Sequence, residues 1–171
     1  MVSDSRQTEV RADQTLTRAG EETADLPESA DAQLYFIGAI RTPWGSPRQC
    51  PRRGDHVSGP ICRIEIDARW RKALKGLEGR THLQILYWMH EARRDLVTQT
   101  PNHTGVTTGT FALRSPNRPN PIASSLVSIV ELLPDAILVR GLDCLDGTPL
   151  VDVKPDVCPF DAARPADKGG Q

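Results

Sequence analysis

The amino-acid sequence predicts a mostly β fold, a single small β-barrel with one short helix and long polar loops. Short apolar segments with strand-like composition follow one another at short spacing, and only residues 68–77 have a credible helical pattern. No glycine-rich phosphate loop follows a predicted strand and opens a helix, since Gly105 and Gly109 match neither a dinucleotide fingerprint nor a Walker loop. These observations favour a closed or nearly closed barrel over a βαβ fold.

The first elements in chain order are two strands and the helix. Residues 34–40 and 59–66 are rich in apolar β-formers and predict strands. Asp67 can cap a helix over residues 68–77, which would place Trp70, Leu74 and Leu77 on one face.

The later elements are strands joined by polar loops. Residues 81–90 alternate Leu83, Ile85 and Tyr87 on one side, although helix is the competing interpretation. Further strands are predicted at residues 105–113, 122–133, 136–142 and 149–153. The Pro134-Asp135 turn between the second and third of these predicts a hairpin.

Composition and charge define the extent of the folded part. The chain has 171 residues, of which 38% are hydrophobic, enough for one domain, which we place at residues 33–160. Residues 1–32 lack periodic apolar positions and are expected to be a disordered acidic tail, and residues 161–171 a flexible C-terminal tail. Residues 1–31 carry three arginines against eight acidic residues, so the net charge of −1 conceals a modestly basic body compatible with RNA binding.

Several functional classes are disfavoured by what the sequence lacks. No apolar run approaches the roughly 20 residues that cross a bilayer, and no signal pattern opens the chain, so we expect a cytoplasmic protein with no membrane partner. The four cysteines and four histidines show no paired metal-ligand spacing. No metal site is therefore expected.

Three polar loops stand out between the predicted strands. Residues 114–122 combine three prolines with two arginines, residues 47–54 repeat that chemistry, and residues 143–149 place carboxylates on a turn. Because proline fixes φ and restricts the preceding residue, the first loop is stiffened where two guanidinium groups are held. Such loops suggest an anion or nucleic acid nearby, while simple turns with solvated arginines remain the alternative.

These motifs resemble the TsaA-like, TrmO-type family. The resemblance rests on Ile37 to Pro43, Pro47-Arg48-Gln49, Arg114 to Ile122 and Leu142 to Pro155, and it spans about residues 34–160 in consistent order. It implies a TsaA-like β-barrel that uses S-adenosylmethionine to methylate N6 of threonylcarbamoyl-adenosine in tRNA, as a homodimer. By motif position the cofactor-binding residues would be Pro47, Arg48, Gln49, His90, Glu91, Arg114, Ser124, Asp143, Cys144, Leu145 and Asp146.

The residue types agree with that chemistry. Carboxylates can bind the cationic and hydroxyl groups of the cofactor, and arginines can bind its carboxylate and that of the substrate. The expected substrate-binding residues are Arg41, Arg118 and Trp44, with Trp44 stacking on a base while Trp70 and Trp88 belong to the core. His90 is the first candidate for accepting the N6 proton, against the alternatives that Glu91 is the base or that His90 only ends a strand.

Two departures from the family pattern keep other functions open. Ala123 stands where the family often has glycine, and the chain is expected to lack the further C-terminal domain of some members. A methyltransferase of the same fold acting on a small molecule, and a non-catalytic S-adenosylmethionine-binding protein, therefore remain alternatives.

Overall fold

Six of the eight strands close into a barrel in a computed structural model that describes residues 16–156. The strands are β1 (Gly38–Arg41), β2 (Cys62–Ile66), β3 (His82–Trp88), β4 (Thr98–Gln99), β5 (Thr108–Gly109), β6 (Ile122–Leu132), β7 (Ala136–Arg140) and β8 (Thr148–Pro155). The barrel has the order β1-β2-β7-β6-β3-β8, and β4 and β5 form a separate two-stranded sheet. The predicted mostly β barrel is confirmed.

The chain divides into two compact units. The barrel unit consists of residues 36–87 and, among the described residues, 124–156. The loop unit consists, among the described residues, of 16–35 and 88–123. The predicted domain boundaries at residues 33 and 160 stay a prediction, since residues 157–171 lie outside the described part of the chain.

The barrel core is built by alternation along the strands. In β3 the side chains of Leu83, Ile85 and Tyr87 are buried, which confirms the predicted strand and excludes the helical alternative. In β2 the buried positions are Cys62, Ile64 and Ile66, again two residues apart. Each buried aliphatic side chain contributes about 1.5–3 kcal/mol through removal of apolar surface from water. The alternation therefore determines which side chains of each strand are left to face outward.

The hairpin predicted at Pro134-Asp135 is confirmed. Strands β6 and β7 pair in antiparallel register, with Leu132 opposite Ile137, and the backbone N–H of Leu133 donates to the carbonyl of Ala136 at 2.8 Å. The register shifts between Ile129 and Glu131, which marks a bulge in β6.

The predicted helix is shorter and less buried than expected. Residues Ala68–Leu74 form a 3₁₀ helix with no buried residue, and the Asp67 side chain makes no capping hydrogen bond. Basic residues occupy much of this segment, so it has no apolar face wide enough to pack. Trp70 is 38% exposed, and its predicted place in the core is wrong. Trp88 is half-buried, with the Arg94 guanidinium 5.4 Å from its ring centroid.

The strand predicted at residues 105–113 is also wrong in most of its length. Only Thr108–Gly109 pairs, as β5, and a 3₁₀ helix follows at Thr110–Ala112. The side chain of buried Thr110 donates to the carbonyl of Leu96 at 2.9 Å, while its backbone N–H donates to Val97. These two bonds turn the chain where the β-propensity of the segment predicts extension.

Part of the predicted acidic tail is ordered by backbone pairing within the loop unit. Thr23 and Leu96 form an isolated antiparallel bridge. The N–H of Ala24 donates to the backbone carbonyl of Asp95, and the N–H of Val97 donates to the backbone carbonyl of Glu22. Sequence reasoning misses this because the segment carries no apolar periodicity and is held through backbone groups. Residues 1–15 lie outside the described residues, so their predicted disorder stays a prediction.

No helix within residues 16–156 has both the length and the apolar character needed to cross a membrane.

Candidate functional site

Two polar loops of the barrel unit are hydrogen-bonded to each other where β1 ends and β8 begins. The backbone N–H of Thr42 donates to Asp146 Oδ1 at 3.1 Å, and Thr42 Oγ1 donates to the carbonyl of Cys144 at 2.9 Å. In return the N–H of Asp146 donates to the carbonyl of Trp44 at 2.8 Å. The structure therefore brings Trp44 and the Asp143–Asp146 turn together.

The Pro47-Arg48-Gln49 turn continues from this loop. The Gln49 Oε1 atom accepts hydrogen bonds from the N–H of Gly45 at 3.0 Å and from Ser46 Oγ at 3.2 Å. The Gln49 amide thus shapes the loop, while Pro47 and Arg48 are exposed. An exposed guanidinium beside this turn can bind an anionic ligand.

Asp143 is oriented by two hydroxyl groups. The buried Tyr87 hydroxyl donates to Asp143 Oδ1 at 2.6 Å, and Ser125 Oγ donates to the same oxygen at 3.3 Å. Burial, and next the negative charge of Asp143, raise the pKa of Tyr87 far above its ordinary value. Tyr87 therefore stays protonated as a donor, and the second carboxylate oxygen of Asp143 makes no hydrogen bond with a described residue.

Ser125 contacts the Asp143 carboxylate, whereas its neighbour Ser124, predicted to bind the cofactor, does not. Ser124 Oγ accepts a hydrogen bond from Gln84 Nε2 at 3.0 Å, and successive side chains of a strand point to opposite faces. Sequence reasoning missed Ser125 and Tyr87. The alternation in β3 places Tyr87 on the buried side, and a buried tyrosine hydroxyl normally requires a hydrogen-bond partner. That requirement was the available signal for a polar residue beside Tyr87.

Arg41, a predicted substrate-binding residue, is already in an ion pair. Its Nε donates to Glu65 Oε2 at 2.9 Å, and its Nη1 lies 3.9 Å from Asp146 Oδ2. The hydrogen bond to Glu65 raises the pKa of the Arg41 guanidinium. Because both partners are largely exposed, the pair contributes little to stability, and Arg41 can exchange Glu65 for a ligand carboxylate.

The cysteine of the Asp143–Asp146 turn has no nucleophilic role. Cys144 is fully buried, and burial raises the pKa of its thiol to about 12. Cys144 and the half-buried Leu145 are therefore available to a ligand through their peptide groups rather than through reactive side chains.

In the loop unit, Arg118 holds the proline-rich loop together. Its Nη2 donates to the carbonyl of Leu113 at 2.7 Å and to that of Thr110 at 3.4 Å. Its Nε atom is buried and has no hydrogen-bond partner among the described residues. The guanidinium that the sequence predicts as a substrate contact is thus directed at the backbone of its own loop.

Gln99 is a second residue that positions this loop, and sequence reasoning missed it. Its buried amide Nε2 donates to the carbonyl of Asn117 at 2.7 Å and to Thr110 Oγ1 at 2.9 Å. A glutamine in a polar stretch gives no sequence signal of this kind, because its partners are set by the turn at Thr110.

The His90-Glu91 turn runs beside the same loop. On one side the N–H of Met89 donates to the carbonyl of Pro121 at 2.8 Å. On the other, the N–H of Arg93 donates to Asn117 Oδ1 at 3.1 Å. The structure therefore brings the His90-Glu91 turn next to the motif that contains Arg114.

Three predicted site residues of the loop unit are available to a ligand. Arg114, His90 and Glu91 are all exposed, and none of them makes a hydrogen bond or ion pair with a described residue. By contrast Arg93 pairs with Asp95 at 2.7 Å, and this hydrogen bond holds the pKa of the Asp95 carboxyl below its ordinary value. Within residues 16–156, no group of three or more His, Cys, Asp or Glu could hold a metal ion.

Comparison with known proteins identifies relatives of this chain. Residues 39–162 match the family model of the tRNA-methyltransferase O N-terminal domain. A probable S-adenosyl-L-methionine-binding protein, VirR of Rhizobium radiobacter, is 51% identical over 83% of this chain and 81% of its own length. The tRNA (adenine(37)-N6)-methyltransferase of Escherichia coli is 35% identical over 78% of this chain, which spans only 60% of that relative.

Solved structures give the same assignment. A crystal structure of TrmO from Pseudomonas aeruginosa superposes with a TM-score of 0.64 at 30% identity, covering 83% of this chain and 62% of the other.

Proposed function

Because the chain belongs to the family of tRNA-methyltransferase O N-terminal domains, we propose that it is an S-adenosylmethionine-dependent methyltransferase acting on adenosine 37 of tRNA. In this proposal the acceptor is N6 of the threonylcarbamoyl-modified nucleoside. The observation that carries it is Asp143, a carboxylate oriented by Tyr87 and Ser125 with one oxygen open, beside Asp146 on a turn.

The donor set of the barrel unit fits the cofactor. The open oxygen of Asp143 and the exposed carboxylate of Asp146 are suited to ribose hydroxyls or to an ammonium group, and Arg48 to a carboxylate. The peptide groups of Cys144 and Leu145, together with Pro47 and Gln49, would contact the same cofactor. When bound, the cofactor supplies a methyl group activated by a positively charged sulfur.

Three exposed motif residues are our candidates for acid–base and anion-binding roles. His90 is our choice for accepting the N6 proton, with Glu91 as the alternative base. Arg114 would bind the threonyl carboxylate of the substrate, because its guanidinium is exposed and not engaged by the loop. Trp44 would stack on the base. The assignment of Ser124 as a cofactor-binding residue stays a prediction.

A homodimer and a cytoplasmic location complete the proposal. Leu126 and Val130 of β6 are 45% and 44% exposed, which supports burial of this face against a second copy. Light scattering after size exclusion would test the dimer, and a monomer with full activity would contradict a shared pocket. A tRNA substrate implies the cytoplasm.

The function is tested by transfer of labelled methyl from S-adenosylmethionine to tRNA that carries threonylcarbamoyl-adenosine without the methyl group. We expect a methylated threonylcarbamoyl-adenosine, identified by mass after digestion to nucleosides. Arg114→Ala should abolish most transfer without changing the melting temperature, while Arg63→Ala, which removes an arginine paired with Asp135, serves as the control. Normal transfer by Arg114→Ala would contradict the assigned site.

A binding protein without catalysis is the second candidate. It is favoured by the 51% identical relative VirR, which is a probable S-adenosyl-L-methionine-binding protein. Calorimetric binding of the cofactor with no labelled nucleoside from any tRNA would support it. If the labelled methyl group is found in a small molecule and not in tRNA, the protein is a methyltransferase with another acceptor.

A further inference from the structure

An exposed basic surface lies on the barrel unit, separate from the loops that carry Thr42 and Asp146. We define this basic surface by five side chains, all exposed: Arg69, Arg71, Lys72, Lys75 and Arg80. Within the described part of the chain none of the five is in an ion pair, although Arg71 Nε donates to the carbonyl of Ile66 at 3.1 Å. Four unpaired cations within seven residues repel one another unless an anion binds.

The acidic residues in this segment do not neutralise it. Asp67 precedes the 3₁₀ helix, and the Glu78 carboxylate accepts a hydrogen bond from the N–H of Gly76 at 2.7 Å. Residues 67–80 therefore carry a net charge of +3. This segment accounts for much of the basic character of the folded body.

The basic surface lies at the end of the barrel away from Thr42 and Asp146. It follows Ile66, the last residue of β2, which pairs with Gly38 at the start of β1, whereas Thr42 follows the end of β1. A surface pocket of about 470 Å³ continues the surface at Arg80. This pocket lies between the start of β3 and the end of β8, and its lining is Gly79, Arg80, Thr81, His82, Leu126 and Asp156.

An exposed aromatic side chain lies among these cations. Trp70 is 38% exposed and stands between Arg69 and Arg71 in the 3₁₀ helix. Cations that contact phosphates and aromatic rings that stack on bases are the paired features of surfaces that bind single-stranded or loop regions of RNA. An acidic protein segment would complement the charge but would give no reason for the exposed indole.

We propose that this basic surface binds the phosphate backbone of the RNA substrate, with Trp70 stacking on one of its bases. The inference rests on the proposed function, because it assumes that the substrate is an RNA longer than the modified nucleoside. The tRNA would then contact the barrel at two places, one holding the reacting base and one holding its backbone.

The test compares tRNA binding by wild-type protein and by the double variant Lys72→Gln/Lys75→Gln. Binding is measured by fluorescence anisotropy of a labelled tRNA transcript. The salt concentration is varied from about 0.05 M to about 1 M, a range over which charge screening increases strongly. Loss of two phosphate contacts should weaken binding about 25-fold at roughly 0.1 M salt and lower the salt slope by about 1.4. Trp70→Leu should weaken binding at least about fivefold without changing that slope.

The matched control is Arg63→Gln/Lys154→Gln. It removes the same charge from the same unit, but these two cations are already paired, with Asp135 at 3.1 Å and Asp152 at 2.5 Å. Equal weakening by the control and the test variant would overturn the basic surface, because it would show only a net-charge effect. Unchanged tRNA binding by Lys72→Gln/Lys75→Gln, or competition by polyglutamate as effective as that by unlabelled tRNA, would overturn it too.

Cofactor affinity and methyl transfer distinguish failure of this inference from failure of the proposed function. Every variant should bind S-adenosylmethionine as the wild type does, and transfer should recover at high tRNA concentration. Wild-type protein that binds tRNA through this surface but transfers no methyl group would contradict the proposed function alone. Transfer with unaltered tRNA affinity in the double variant would contradict the basic surface alone.

Discussion

Replacing Tyr87 by phenylalanine tests the arrangement that orients Asp143. The hydroxyl makes a 2.6 Å hydrogen bond to Asp143 Oδ1, and the side chain is only 2% exposed. A hydrogen bond to a charged group contributes about 1.5–3 kcal/mol, and Ser125 remains as a donor to the same oxygen. We expect a loss of about 2 kcal/mol in the free energy of unfolding, or roughly 4–8 °C in melting temperature.

The same variant has a pH signature. In the folded protein burial raises the pKa of Tyr87, so the unfolded chain releases this proton near its ordinary pKa of about 10 while the folded chain keeps it. The contribution of the Tyr87 hydroxyl to the free energy of unfolding is therefore fully present below about pH 10 and is lost as the pH rises above that value. The wild-type stability should fall more steeply there than that of Tyr87→Phe, by up to about 1.4 kcal/mol per pH unit.

Urea unfolding at pH 8 and at several values above pH 10 measures the free energy of unfolding and its dependence on pH. Calorimetry measures the affinity for the cofactor, which should weaken about tenfold if the binding free energy falls by about 1.4 kcal/mol. Tyr35→Phe is the control, since that tyrosine is 75% exposed. If Tyr87→Phe leaves stability, alkaline slope and affinity at wild-type values, the hydroxyl does not orient Asp143.

Two further variants or reactions test the packing around the site. Gly54→Ala would place a methyl group 1.8 Å from the carbonyl oxygen of Gly141 and should lower the free energy of unfolding by about 1–3 kcal/mol. Gly45→Ala would place its methyl group 3.8 Å from Gln49 Oε1, which is an ordinary contact, and should change the melting temperature little. Equal melting temperatures would contradict the close approach. Iodoacetamide at pH 8 should label half-buried Cys50 well before Cys144, whose pKa is raised to about 12, and peptide mass analysis showing equal rates would contradict that burial.

The barrel was predictable because alternation in β3 and the turn at Pro134-Asp135 are local signals. The exposure of Trp70 was not predictable, because the burial of an isolated apolar side chain depends on which other parts of the fold pack against it. The same limit applies to the site. Motif positions predict Asp143 and Arg114 as site residues, and this stays a prediction, but they give no indication of the hydrogen bonds made by Ser125 and Gln99. Those roles depend on partners distant in sequence, so no spacing rule reveals them.

The closed order of the barrel strands restricts how two copies of this chain can associate. A closed barrel has no unpaired edge strand, so its backbone cannot extend a sheet into a neighbouring molecule. In the short β4–β5 sheet, the side next to β4 is already occupied by residues 22–24. Any dimer built on the barrel must therefore be held by side chains, and its strength should respond to point substitutions on the outer faces rather than to changes in strand pairing.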